Sequence, residues 1–345
     1  MTKISRSRMD MEGARLDGVG KLTLSSTNGV IFSDASTVST ANSLGLRNRI
    51  INGGMKVDQR NGGASQTITA AAALAYTVDR FYAYSTGANV TGQRVAGTGS
   101  TQYRYQFTGA ASVTKIGFAQ RIEQANCYEL ASTTSTLSVD LSNSLLTTVT
   151  WVASYATTTA DTFGTLASPT ITQIATGTFT VTSTIARYAT NITVPAAATT
   201  GIQIELSVAA QTSGTFVIGN VQFEQAAVAT PFEQRPFGMQ LSLCQRYALV
   251  IPTSVFFGTG TARTGGTAHY ILFPTPVPMR VAPTMSGTLG SIYVGDTTTA
   301  VSAWPSPSLT GNGLSASVSS AAVGAVGDSA MVNSSGGAVL FSAEL

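Results

Sequence analysis

Short runs in which apolar and polar residues alternate recur through the middle of the chain: RFYAY (80–84), YRYQF (103–107), STLSVDLS (135–142), TVTWVASY (148–155), TFTVTS (178–183) and IQIELSV (202–208). A period of two places every second side chain on one face of a strand, which suits a half-buried antiparallel sheet rather than a helix. Segments rich in Gly, Asn, Thr and Ser separate the runs, so the chain reverses direction often. This pattern predicts an all-β fold, an antiparallel sandwich or barrel of the jelly-roll kind. Composition points the same way. Asp, Glu, Lys and Arg make up only 10% of the 345 residues, against about a quarter in an ordinary soluble domain.

Changes in composition suggest boundaries. A chain of 345 residues is long enough for two or three domains with a sizeable core. Residues 1–21 are dense in alternating charges and 22–45 are small and polar. So short a segment is expected to lack a core of its own: it reads as an extended attachment arm over 1–45 that orders against a partner, with a tail of no fixed structure as the competing reading. Residues 46–235 carry the alternating runs and are expected to form the jelly-roll sandwich. Residues 251–345 hold five charged side chains, Arg263, Arg280, Asp296, Asp328 and Glu344, and are expected to form a smaller C-terminal β-sandwich. Between the two lies PFEQRPFGMQLSLCQRYA (231–248). Pro231 and Pro236 interrupt strand pairing, and Gly238 to Tyr247 predicts a short helix with Met239 and Leu243 on one face. This connector is expected to span 236–250.

The chemistry that catalysis requires is sparse. His269 is the sole histidine, which excludes a His-rich metal site, and no G-x-S-x-G elbow accompanies it to suggest a Ser-His-Asp triad. The carboxylates Asp140, Asp161, Glu205 and Glu224 fall on different predicted strands without the pairing that glycoside hydrolysis needs. No phosphate-binding glycine loop occurs. Cys127 and Cys244 stand in no metal-ligand spacing and read as buried thiols, with a disulfide between them as the alternative. The expectation is a protein without catalytic residues, metal or cofactor. A net charge of +3 is too small and dispersed for a nucleic-acid partner. No run approaches the roughly 18 apolar residues of a membrane span, so membrane insertion is not expected. The N-terminus lacks the apolar core of a secretory signal, so the protein is expected to be made in a cytoplasm and to stay soluble or leave by a route other than secretion.

The aromatic residues are a more promising signal. Tyr82 with Tyr84, and Tyr103 with Tyr105 and Phe107, sit at strand spacing, where tyrosine faces can stack on sugar rings while their hydroxyls stay wet. Such a stripe packs into a core more often than it meets a ligand, and Arg80, Arg104 and Arg121 are candidate partners for buried hydroxyls. In the C-terminal segment, turn-rich surroundings single out Tyr293 in SIYVGD, Trp304 in SAWPSP and Tyr270 as candidate ligand contacts. Phe256 and Phe257 read as core.

One combination of motifs carries a resemblance. INGGMKVDQRNGG (51–63) with YTVDRFYAY (76–84), then VQFEQAAVATPFEQRPFGMQLSLCQRYA (221–248) and FPTPVPMRVAPT (273–284), resembles tail fibres and related virion adhesins of tailed bacteriophages. That resemblance implies a jelly-roll domain similar to carbohydrate-binding modules, a homotrimer, location on a virion made in the bacterial host, attachment to other virion proteins through residues 1–45, and host cell-surface polysaccharide as the ligand. A head fibre or capsid decoration protein is the structural alternative; a polysaccharide depolymerase is the enzymatic one. The scarcity of charge independently favours burial of surface between subunits. Within the matching motifs, Asp79 and Arg80, Gln59 and Arg60, Glu233 and Arg235, and Gln245 and Arg246 are expected to form ion pairs and hydrogen bonds that tie the sandwich to the connector.

Overall fold

A computed structural model describes residues 30–31, 37–38, 46–71, 74–310 and 313–345. Met1–Gly45 and Leu46–Leu345 are separate units. In the first, β1 (Val30–Ile31) pairs antiparallel with β2 (Thr37–Val38); the rest of the expected arm lies outside the described residues. The second unit begins with twelve strands: β3 (Gln66–Ile68), β4 (Ala75–Tyr76), β5 (Tyr82–Thr86), β6 (Val90–Ala96), β7 (Tyr103–Thr108), β8 (Lys115–Ile122), β9 (Thr134–Asn143), β10 (Thr148–Ala156), β11 (Ile171–Thr180), β12 (Ala186–Thr193), β13 (Ile202–Val208) and β14 (Thr215–Glu224).

They form two six-stranded sheets, β11-β10-β13-β8-β5-β4 and β12-β9-β14-β7-β6-β3. All the pairings are antiparallel. The chain crosses repeatedly between sheets, so that β8 pairs with β13 in one while β7 pairs with β14 in the other. β9 and β10 then close on the opposite flanks of β14 and β13. This wrapping defines a jelly roll.

The alternating pattern sends one side chain of each successive pair inward. Tyr105 and Phe107 meet Ile116 and Phe118 from the facing sheet, joined by Leu137, Trp151, Ile204 and Phe216, all buried. Phe118 is the centre: Phe81 stacks on it with centroids 4.7 Å apart, and Tyr105 and Phe107 lie at 5.3 and 5.7 Å. Burying each such ring contributes about 1.5–3 kcal/mol. Cys127 and Cys244 are free and buried.

Helix α1 (Phe237–Gln245) follows the sandwich. Its buried residues are Gln240 and Cys244, continued by buried Tyr247, whereas Met239 is exposed; the inward stripe is therefore one residue away from the expected Met239–Leu243 face. Apolar residues at 237, 239, 241 and 243 surround the helix and leave no single face for periodicity to identify.

The chain continues through β15 (Ala248–Ile251), β16 (Phe256–Arg263), β17 (Ala268–Pro274), β18 (Thr284–Gly287), β19 (Ser291–Val294), β20 (Thr297–Ala303), β21 (Ser308–Thr310), β22 (Gly313–Ser320), β23 (Ser329–Asn333) and β24 (Val339–Ser342). A three-stranded sheet β15-β24-β18 faces a seven-stranded sheet β17-β16-β23-β19-β20-β22-β21. Phe341 of β24 packs on Phe257 and Phe273 at 6.1 and 5.6 Å, sealing a second core between the two sheets. The larger sheet also closes on itself, because β17 pairs with β22 from Ala268↔Ser319 to Pro274↔Gly313. Closure pairs the edge that β17 would otherwise expose, and the three-residue β21 stays at the margin of the sheet.

The motif residues converge where the sandwich meets α1. Gly53 has no room for a Cβ, which would lie 2.0 Å from the Val221 carbonyl oxygen, and its own carbonyl accepts the Val221 amide at 2.9 Å. Glu233 accepts the Asn48 amide at 2.7 Å and lies 3.5 Å from Arg235. The Arg235 guanidinium donates to the carbonyls of Asn48 and Ile50. Asp79 is bound by Gln59, whose side chain also donates to the Ala248 carbonyl at 2.9 Å. Arg80 does not pair with its neighbour Asp79. Its guanidinium pairs with Glu344, donates to the Arg121 carbonyl at 2.6 Å and lies 3.5 Å from the Tyr247 ring centre. Arg60 reaches the same Glu344 carboxylate at 3.1 Å. Arg246 pairs with Glu123, while Gln245 ends α1 half-buried. Glu123 and Glu344, outside the matching motifs, supply the anions.

Candidate functional site

The sequence-predicted ligand residues separate in the structure. Tyr270 and Tyr293 lie on the outer wall of the closed sheet, where β17 turns His269, Ile271 and Phe273 inward and Tyr270 and Leu272 outward. Trp304 is elsewhere: it is half-buried and packs edge-on against the core ring of Phe257 at 6.0 Å, its indole N–H buried without a partner. Phe257 is core as expected, but Phe256 is on the surface. A register shift between Phe256 and Gly258 accounts for this, since a bulge breaks the alternation that would otherwise decide which face each residue takes.

Strand register assembles the wall. Leu272 is opposite Thr259, Thr259 opposite Met331, Met331 opposite Tyr293 and Tyr293 opposite Thr298, one row across five strands. A parallel row sets Tyr270 opposite Thr261, and Thr261 opposite Ser329. Phe256 meets Tyr293 edge to face at 5.1 Å. Tyr270, Met331, Leu272 and Phe256 are 40–51% exposed, and hydroxyl side chains fill the rows between them. Of the five charges in this segment, Arg280 and Glu344 are spent at the junction; Arg263 lies 5.9 Å from the Tyr270 ring centre, and Asp296 and Asp328 stand at the ends of the rows, just before Thr298 and Ser329 in the chain. A shallow, nearly neutral surface of rings, methyls and hydroxyls suits the apolar face and hydroxyl rim of a sugar better than an ionic ligand. Sequence reasoning missed Leu272, Met331 and Phe256, whose neighbours come together only through cross-strand register.

The tyrosines of the sandwich are placed differently. Tyr105 and Phe107 belong to the core, and Tyr103 packs against it half-buried. Tyr82 and Tyr84 form a separate buried cluster with Ala119 on the outer face of the other sheet. There the Tyr84 hydroxyl donates to Glu205 at 2.6 Å, Lys115 reaches the same oxygen at 3.0 Å, and Arg121 lies 5.2 Å from the Tyr82 ring centre. Burial pushes both tyrosine hydroxyls well above their ordinary range.

The other carboxylates singled out in the sequence are each engaged. Asp140 accepts from Asn220 at 2.7 Å and Arg187 at 3.1 Å. Asp161 accepts the Gln124 amide at 2.7 Å. Glu224 accepts the Thr230 amide and hydroxyl at 2.9 and 2.7 Å. His269 is buried inside the closed sheet with Nε2 2.9 Å from the Ser320 hydroxyl, and its Nδ1 has no partner. Burial holds its pKa below the ordinary value. Among the described residues no group of three His, Cys, Asp or Glu side chains is placed to hold a metal ion. No described helix is long and apolar enough to cross a membrane.

Comparison with solved structures finds the module TmCBM61 in complex with β-1,4-galactotriose, 12% identical over 52% of this chain and 99% of that one, with a TM-score of 0.33. It also finds the enzymatically active domain of tailspike protein 4 from bacteriophage CBA120, 17% identical over 52% of this chain and 21% of that one, at 0.32. A CBM4 structure is 16% identical over 51% of this chain and 98% of that one, also at 0.32. No family profile and no curated protein matches. The jelly-roll assignment accordingly stands on strand order and pairing.

Proposed function

We propose that this chain is a non-catalytic, glycan-binding structural protein of a bacteriophage virion, a tail fibre or tail-associated adhesin. The observation that carries the glycan reading is the outer wall of the closed sheet, where Tyr270, Phe256 and Tyr293 stand among hydroxyls with almost no charge. Rings of this kind stack on sugars while Thr and Ser rows exchange hydrogen bonds with their rims. The virion assignment is supported by the resemblance at 51–63, 76–84 and 221–248, whose residues build one junction. Engagement of Asp140, Asp161, Glu205 and Glu224 in separate local networks supports a role without catalysis. We place three copies together, so that individually weak sites add in avidity, with residues 1–45 joining the virion.

The test is binding of the purified chain to an array of bacterial surface polysaccharides, with Tyr270→Ala and Tyr293→Ala beside it. Saturable binding to at least one polysaccharide is expected, weakened by roughly tenfold in either variant, with unfolding midpoints unchanged. A folded chain that binds nothing on the array would favour the purely structural alternative, a head fibre or decoration protein. Release of reducing ends would favour a depolymerase.

A further inference from the structure

A second surface, built from different elements, has the features of a binding site for a charged sugar. A cleft of about 340 Å³ opens where α1 leaves the sandwich, lined by Lys56, Arg94, Gln102, Tyr103 and Phe237 among others. This is within the size range of small-molecule sites, roughly 300–1,000 Å³. It combines rings with polar groups whose hydrogen-bonding capacity is not used up inside the protein.

Phe237, the first residue of α1, is 58% exposed although it is a large apolar ring. Arg94 lies over one face of Tyr103, 4.4 Å from the ring centre. Phe237 is therefore the ring left free to take the apolar face of a ligand, while Tyr103 contributes its hydroxyl. Arg94 is fixed from behind: its Nη1 donates to the Lys56 carbonyl at 2.9 Å, and its Nε is 3.6 Å from Asp58. Asp58 offsets the charge of Arg94, so Lys56 is the cation of the cleft that a ligand can pair. The Asp58 carboxylate is almost fully buried and accepts the amides of Asn61 and Gly63 at 3.2 and 2.7 Å. Lys56 differs from the other basic residues of the junction. Its ammonium makes one long contact, 3.5 Å to the Arg235 carbonyl, and among the described residues no carboxylate lies within ion-pair distance. Gln102 is exposed, and half-buried Gln59 also lines the cleft.

We infer that this cleft binds an acidic sugar residue, a uronate or similar carboxylate-bearing pyranose, with the carboxylate at Lys56, the ring face on Phe237 and hydroxyls at Gln102 and Tyr103. A point charge with rotatable donors meets the carboxylate, and the exposed ring takes the hydrophobic face. Both halves are needed: the cation without the ring would hold any small anion, and the ring without the cation would hold neutral sugars equally well.

Ligand-observed NMR and calorimetry on the full chain would test this, with a glucuronate-containing disaccharide, its neutral glucose counterpart and acetate as probes. The acidic disaccharide should bind, weaken as salt is raised, and lose roughly tenfold in affinity in Lys56→Gln. Phe237→Ala should weaken both disaccharides, and Thr180→Ala, an exposed position on β11 of the other sheet, should change neither. Phe237 is exposed and Lys56, half-buried, makes one long contact, so both variants should keep the wild-type unfolding midpoint. The inference is overturned by the absence of binding up to about 10 mM, by equal binding of the neutral disaccharide or of acetate, or by wild-type affinity in Lys56→Gln. Because Lys56→Gln and Phe237→Ala report on the cleft, and Tyr270→Ala and Tyr293→Ala on the wall, either site can fail while the other stands.

Discussion

Arg246, just past the end of α1, and Glu123, just past the end of β8, meet through two hydrogen bonds: Nε donates to Oε2 at 3.2 Å and Nη2 to Oε1 at 2.8 Å. The Tyr247 hydroxyl donates to the same carboxylate at 2.7 Å. The connector is thereby fastened to the sandwich, and through the Ala343 amide, which donates to the Tyr247 carbonyl at 2.7 Å, to the C-terminal strands. This explains why residues 46–345 form one compact unit despite two separate cores.

Replacing Arg246 with Ala should therefore cost stability without altering ligand contact. Two charge-assisted bonds are lost, but the Arg246 side chain is more than a third exposed, and Tyr247 still holds Glu123. A loss of about 1–2 kcal/mol is expected, read as a lower urea midpoint at unchanged slope. An unchanged midpoint accompanied by weakened polysaccharide binding would show that Arg246 serves recognition instead.

The same pair should give an acid signature. Burial by itself would raise the Glu123 carboxyl, but the hydrogen bonds from Arg246 and Tyr247 outweigh it and hold the pKa below the ordinary 4.5. A lowered folded pKa means stability that is fully present above the unfolded value and disappears as pH falls through the folded one. The stability difference between wild type and Glu123→Gln should accordingly be constant near neutrality and shrink below about pH 4.5. A difference that grows on acidification would contradict this sign.

Glu344 should be the more sensitive position. It serves Arg60 and Arg80 together, and the three side chains are 10%, 1% and 4% exposed for Arg60, Arg80 and Glu344. Glu344→Gln keeps the shape but leaves two buried guanidiniums without their anion, at a cost of about 3–5 kcal/mol. Hydrogen exchange should rise first at the Ala343 amide. Stability within experimental error of wild type would mean that water already reaches the pair.

Much of the fold is legible in sequence because strand alternation is local: the runs at 103–107, 135–142, 148–155 and 202–208 all coincide with strands. The site is less so. A single bulge moved Phe256 from the expected core to the surface, and no residue type announces a bulge there. The partners of Arg80 and Arg246 are 264 and 123 positions away, so adjacency in the motif suggested Asp79 and Gln245 instead. The cleft joins Lys56, Tyr103 and Phe237 from three distant segments, each unremarkable by itself. Closure of the C-terminal sheet depends on β17 pairing with β22, a long-range contact that periodicity does not encode.

At the other end of the pH scale, the tyrosines should report the fold directly. Burial is the leading cause that raises the hydroxyls of Tyr76, Tyr82, Tyr84 and Tyr105, and it moves Tyr247 to about 12. Each folded value exceeds the ordinary 10.0, so the stability these groups contribute is whole below that pH and is lost as pH rises through the folded values. Tyrosinate absorbance from this buried set should therefore appear in one steep step that coincides with loss of β-structure in the circular dichroism. If these tyrosines ionised while the fold persisted, the buried clusters around Tyr82 and Tyr247 would have to be open to solvent.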